Sequence, residues 1–156
     1  MFKKRMLLFA FAAIFTSFAG VPSLAQTEEK IENKAVVYIY SGPVAKPSIG
    51  NPHASIYLDG KLIADIGPER YFAVLLSPGM HTFSFKDKKA GGIERDFAAG
   101  STTYLSTGWT EGWTRKPSGL LVVNEDNGRF AVKQRKPLEN KYVRDKTVVI
   151  LDLPKN

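Results

Sequence analysis

An all-β antiparallel sandwich of about seven to nine short strands is the fold this sequence predicts. Short runs rich in β-branched and aromatic residues recur from residue 34 onward, as half-buried strands require. Each run is closed by Gly, Pro, Asn, Asp or Ser, the residues that turn a chain. Helical periodicity is scarce between them.

The elements follow in order. Lys3, Lys4 and Arg5 precede an apolar run from Met6 to Val21, then Pro22 and the small-x-small triplet Ser23-Leu24-Ala25. That order reads as a secretory signal helix, residues 1–25, cleaved after Ala25. The run is shorter than the roughly 20 residues that span a bilayer, and no later stretch is long or apolar enough, so no membrane span is expected after cleavage. Residues 26–33 (QTEEKIEN) are a polar leader, and 34–136 form the sandwich domain. Within it KAVVYIY (34–40) is the first strand, and the Pro- and Gly-rich stretch 41–53 is a loop. ASIYL (54–58), LIADI (62–66), RYFAVLL (70–76), MHTFSF (80–85), IERDF (93–97) and TTYLST (102–107) continue the pattern. GLLVV and RFAVK flank NEDNG (124–128), which reads as a hairpin loop between two further strands. Residues 137–156 are a C-terminal extension in which PLENKYVRD suggests one or two helical turns opening at Pro137. TVVILDL in the same extension is an edge strand that must be paired to be hidden.

Composition excludes several classes of function. The chain has no cysteine, which rules out disulfides, thiol catalysis, thiolate metal sites and the acylated cysteine of a bacterial lipoprotein. Loss of Lys3, Lys4 and Arg5 takes the formal charge from +7 to +4. The remaining Lys and Arg are interspersed with acids, so no basic stripe for nucleic acid is evident.

Two polar stretches resemble active-site material. Asp59-Gly60 in YLDGK lies between two strand runs, and Asp-Gly is a preferred pair for a two-residue type I′ hairpin. Lys61 follows as a solvent-facing residue. In SPGMH, Pro78 supplies a fixed φ and Gly79 a positive one, a type II pattern. His81 shares strand parity with Phe83 and Phe85 and points to the apolar face near a rim. Asp59, Lys61 and His81 therefore read as turn and rim residues rather than a catalytic set. The succession AVVYIY, Pro/Gly loop, IYLDGKLIADI, RYFAVLLSPGMHTFSF and AAGSTTYLS, covering Ala35 to Ser106, resembles the bacterial domain-of-unknown-function family numbered 2846, whose members are exported and often lipoproteins. It is more distantly similar to PEGA-type sandwich modules, which share the Asp-Gly-Lys and Pro-Gly-x-His turns. The resemblance implies a sandwich and an exported protein; it implies no catalytic residues.

Other chemistry is thin. His53 and His81 are the only histidines and have no metal-ligand spacing, so neither a metal nor a cofactor is expected. Glu125 and Asp126 lack the spacing of a calcium loop. The glycines of KAGGIE and PSGLL match no phosphate-binding fingerprint, and no GxSxG occurs. One stretch stands out: GWTEGWT (108–114) holds both tryptophans. Exposed at one end of the sandwich, Trp109 and Trp113 would stack on sugar rings or aromatic side chains, with Glu111 and Arg115 as hydrogen-bonding partners. Folded back, the same indoles would cap the core. The expected function is a non-catalytic binding or structural module of the cell envelope, periplasmic or extracellular, with an envelope protein or a glycan as partner. The competing class is a small hydrolase with an unrecognised site.

Overall fold

The computed structural model describes residues 33–42, 53–85, 92–109 and 117–151. The signal segment, nearly all of the leader and most of the 41–53 loop lie outside them. Among the described residues are eight strands of five or more residues: β1 Ala35–Ser41, β2 Ala54–Leu58, β3 Lys61–Ile66, β4 Arg70–Leu76, β5 Gly79–Ser84, β6 Ile93–Phe97, β7 Thr102–Trp109 and β8 Pro117–Val123. After helix α1 (Glu125–Lys133), the two-residue strands β9 (Lys136–Pro137) and β10 (Val149–Ile150) flank a 3₁₀ turn at Asn140–Tyr142.

The strands make two sheets, one ordered β10-β4-β1-β7-β8 with β9 also on β4, the other β3-β2-β5-β6. Val37, Ile39, Phe72 and Leu105 of the first meet Ile56, Ile63, Phe83 and Phe97 of the second in one core, so the fold is a β-sandwich. Two pairings depart from the antiparallel expectation, the short one of β9 on β4 and a long one. β1 and β7 run parallel, Val36 opposite Thr102 through Ser41 opposite Thr107. Strands β2 to β6 lie between them in sequence and account for the crossover.

Burial patterns separate the sheets. β2 alternates buried and partly exposed residues, the pattern of a sheet covered on one face. β1 is buried at all seven positions, because its sheet is covered on both. On the outer face Val36, Tyr38, Tyr40, Tyr71, Ala73 and Tyr104 form a second cluster with Val132 of α1. The NEDNG expectation is therefore corrected. Asn124 is the N-cap of α1, its Oδ1 accepting from the Asn127 amide at 2.9 Å. Glu125 and Asp126 occupy the first turn and Lys133 the last, charges suited to the helix dipole. RFAVK is helix rather than strand. Gly128 packs onto Tyr104, where an added Cβ would lie 2.2 Å from the Tyr104 Cγ. At the far end Arg135 lies over the Tyr40 ring at 4.9 Å and donates from Nε to the Ser41 carbonyl at 2.7 Å.

The C-terminal segment ties the two sheets together. β9 pairs parallel to the start of β4 and β10 pairs antiparallel to it, so Val149–Ile150 of TVVILDL is hidden on a sheet edge of its own chain. Pro137 sits in β9 rather than opening a helix, and the helical part shrinks to Asn140–Tyr142. Between them Val143 bridges to Ala64, and the amides of Arg144 and Asp145 donate to the Ile63 carbonyl at 2.8 and 3.0 Å.

Candidate functional site

Asp59 and His81 meet, and Lys61 does not join them. Asp59 (φ 51) and Gly60 (φ 81) occupy the β2–β3 turn with the positive φ values that a type I′ hairpin needs. Gly79 has φ 133 and opens β5 where the chain crosses from the larger sheet to the smaller. The Asp59 carboxylate accepts from His81 Nδ1 at 2.7 Å and from the Thr82 amide at 2.8 Å. His81 Nε2 donates to the Ser77 carbonyl at 2.9 Å. A carboxylate and a carbonyl can only accept, so both ring nitrogens must carry hydrogen and the clamp selects the imidazolium. Partial burial pulls the His81 pKa down, but the bonds to Asp59 and Ser77 outweigh it and the net shift is upward. With both nitrogens engaged, His81 has none left to take a proton from a substrate, and the Ser77 hydroxyl is turned to Lys34 Nζ at 3.0 Å. The geometry is that of a clamp between two turns.

Lys61 pairs instead with Asp145, 2.5 Å away and 84 positions on in the sequence. Asp145 is buried, and its other oxygen accepts from the Thr147 amide and hydroxyl at 2.9 and 2.6 Å. The Lys61 ammonium is the main reason the Asp145 pKa falls to about 2, helped by Thr147. Alongside, Asp65 accepts from Arg144 Nε at 2.7 Å and from the Ser55 hydroxyl at 2.6 Å. Sequence reading had no means to find Asp145 or Arg144, which reach β3 only through the return of the C-terminal segment.

A cleft of about 220 Å³ lies between the β3–β4 crossover and that segment, with His53, Arg70, Glu139 and Tyr142 on its walls. The His53 ring sits on Tyr142 at 4.4 Å. Glu139 accepts from Arg70 at 3.1 Å and from Lys141 at 2.9 Å, and the Lys141 contact holds its carboxyl below the usual range. The carboxylate is thus matched by cations already in place.

Of the tryptophan stretch, Trp109 ends β7 with its backbone opposite Pro117 of β8. Glu111, Trp113 and Arg115 lie outside the described residues. Among the described residues no helix is long and apolar enough to cross a membrane, and no three His, Asp or Glu side chains are grouped as metal ligands would be. The fold and these contacts define a β-sandwich with a helix over its outer face. No family model, curated protein or solved structure matches the chain.

Proposed function

We propose that this chain is an exported, non-catalytic binding module of the cell envelope that takes a glycan or an envelope protein through the Trp109–Arg115 stretch. The observation that carries the reading is the β7–β8 hairpin. Its strands pair from Tyr104 opposite Val123 to Trp109 opposite Pro117, with one register shift between Gly108 and Trp109, so the stretch leaves one paired strand and enters the next. A rigid scaffold that presents a short aromatic segment is a common basis for recognition. Two indoles offer large contact faces at low entropic cost, with Glu111 and Arg115 beside them in sequence. The non-catalytic reading is supported by the polar groups best placed for chemistry, which are held in the Asp59–His81 clamp and the Lys61–Asp145 pair. Export is supported by the basic, apolar and small-residue order of the first 25 residues, and agrees with the resemblance to family 2846, whose members are exported.

Pull-down on purified envelope glycan and on detergent-extracted envelope protein tests the reading, with Trp109→Ala and Trp113→Ala compared against the unaltered chain. Retention lost in either variant while thermal stability holds is the expected result. Retention unchanged in both, or tryptophan fluorescence fully shielded from acrylamide, would assign the indoles to the core. Fractionation with intact-mass measurement tests export; the expected product begins at Gln26.

A further inference from the structure

Among the described residues the sandwich has four sheet edges, and three are protected. The outer edge of β4 is occupied by β9 and β10. The edge of β3 receives Val143, Arg144 and Asp145. β6 presents Glu94, Arg95 and Asp96, all exposed, and charge on an edge strand discourages pairing with another chain. β8 has neither device. Among the described residues it pairs with β7 alone, its sequence PSGLLVV carries no charge, and Leu121 and Val122 are 61% and 46% exposed. Pro117 and the register shift beside it blunt only the start of β8; the remaining run to Val123 is a template for another strand.

We propose that the occupant is β8 of a second copy, paired antiparallel about a twofold axis to join the two larger sheets into one. An uncharged strand sets no like charges against itself. The flanking sequence also selects direction: Arg115 and Lys116 precede β8, and Glu125 and Asp126 follow it. In an antiparallel pair the start of each β8, which follows Arg115 and Lys116 in sequence, lies beside the end of the other, which leads into the acidic first turn of α1; a parallel pair would set like ends together. A twofold contact of this kind is isologous and closes at the dimer, so it gives no fibre.

Sedimentation velocity of the purified chain over a range of micromolar concentrations, with hydrogen exchange on the same samples, tests the proposal. The expected result is a dimer fraction that rises with concentration, together with slower exchange of the Gly119–Val123 amides. Leu121→Lys and Val122→Lys should each raise the dissociation constant at least tenfold, with thermal midpoints retained because both side chains are exposed; the exchange data on the unaltered chain stand even if a variant fails to fold. A monomer at every concentration would overturn the proposal. So would a dimer that both variants leave intact, or β8 amides protected independently of concentration, which would mean that the chain covers its own edge.

Discussion

Replacing Gly128 by alanine should destabilise the protein, although the same change in most helices stabilises it. Gly costs about 0.8–1.0 kcal/mol relative to Ala within a helix, so propensity alone favours the substitution. Packing opposes it. The new Cβ would lie 2.2 Å from the Tyr104 Cγ and 2.3 Å from its Cβ, where ordinary contact begins at 3.4 Å. Turning the Tyr104 ring does not relieve a clash with its own Cβ, and the ring is stacked on Tyr38 with centroids 5.3 Å apart. The backbone of α1 must therefore lift by on the order of 1 Å, which loosens its contacts across the outer face. Overpacking that shifts backbone sits near the upper end of about 1–3 kcal/mol. Subtracting the propensity gain leaves a loss of about 2 kcal/mol, which lowers Tm by roughly 8 °C in a domain of this size. Urea unfolding followed by circular dichroism measures it, with Asn127→Ala, exposed one position earlier, as a control that should stay within about 0.5 kcal/mol. A midpoint for Gly128→Ala equal to or above that of the unaltered protein would refute the close approach of α1 to β7.

Three further outcomes are expected. Because the His81 pKa is raised in the folded protein, its contribution to stability is fully present below the unfolded value of about 6.5 and is lost as pH rises through the folded one. The unfolding midpoint should accordingly fall across that window, and the same dependence in Asp59→Asn, which keeps a turn-compatible residue, would contradict the clamp. Asp145 has the opposite sign. With its pKa lowered to about 2, the stabilisation is present above the ordinary carboxylate value of about 3.9 and lost as pH falls toward 2. Acid titrations of the unaltered chain and Asp145→Asn should differ in that range and would coincide if the Lys61 contact were inconsequential. Gly60→Val forces a β-branched residue to φ 81 and should cost about 1–3 kcal/mol in thermal melts, while Gly60→Asn should cost much less; equal losses would remove backbone conformation as the cause.

Local pattern made much of the fold legible. β2, β4 and β6 begin and end where the sequence runs do, because β-branched and aromatic residues bounded by turn formers have few alternatives. The Asp59-Gly60 turn was legible for the same reason, since only its own residues set its φ values. The unbroken apolar runs AVVYIY and RYFAVLL also carried a signal that was not used: absence of alternation means burial on both faces, which calls for a covering layer such as α1. NEDNG was ambiguous because its Asn, Asp and Gly serve equally as turn residues or as an N-cap, an acidic first turn and a point of close approach. The presence of Tyr104 beneath Gly128 decides between them, and Tyr104 is 24 positions away. Beyond the Asp59-Gly60 hairpin of β2 with β3, pairing was not legible. That β1 lies parallel to β7, that Lys61 finds Asp145 and that His81 binds Asp59 depend on which distant surfaces meet once the two sheets close over a shared core, a choice made by the sum of long-range contacts. Composition and spacing determined strands and turns; the tertiary structure determined their neighbours, and with them the single edge, β8, left without cover or charge among the described residues.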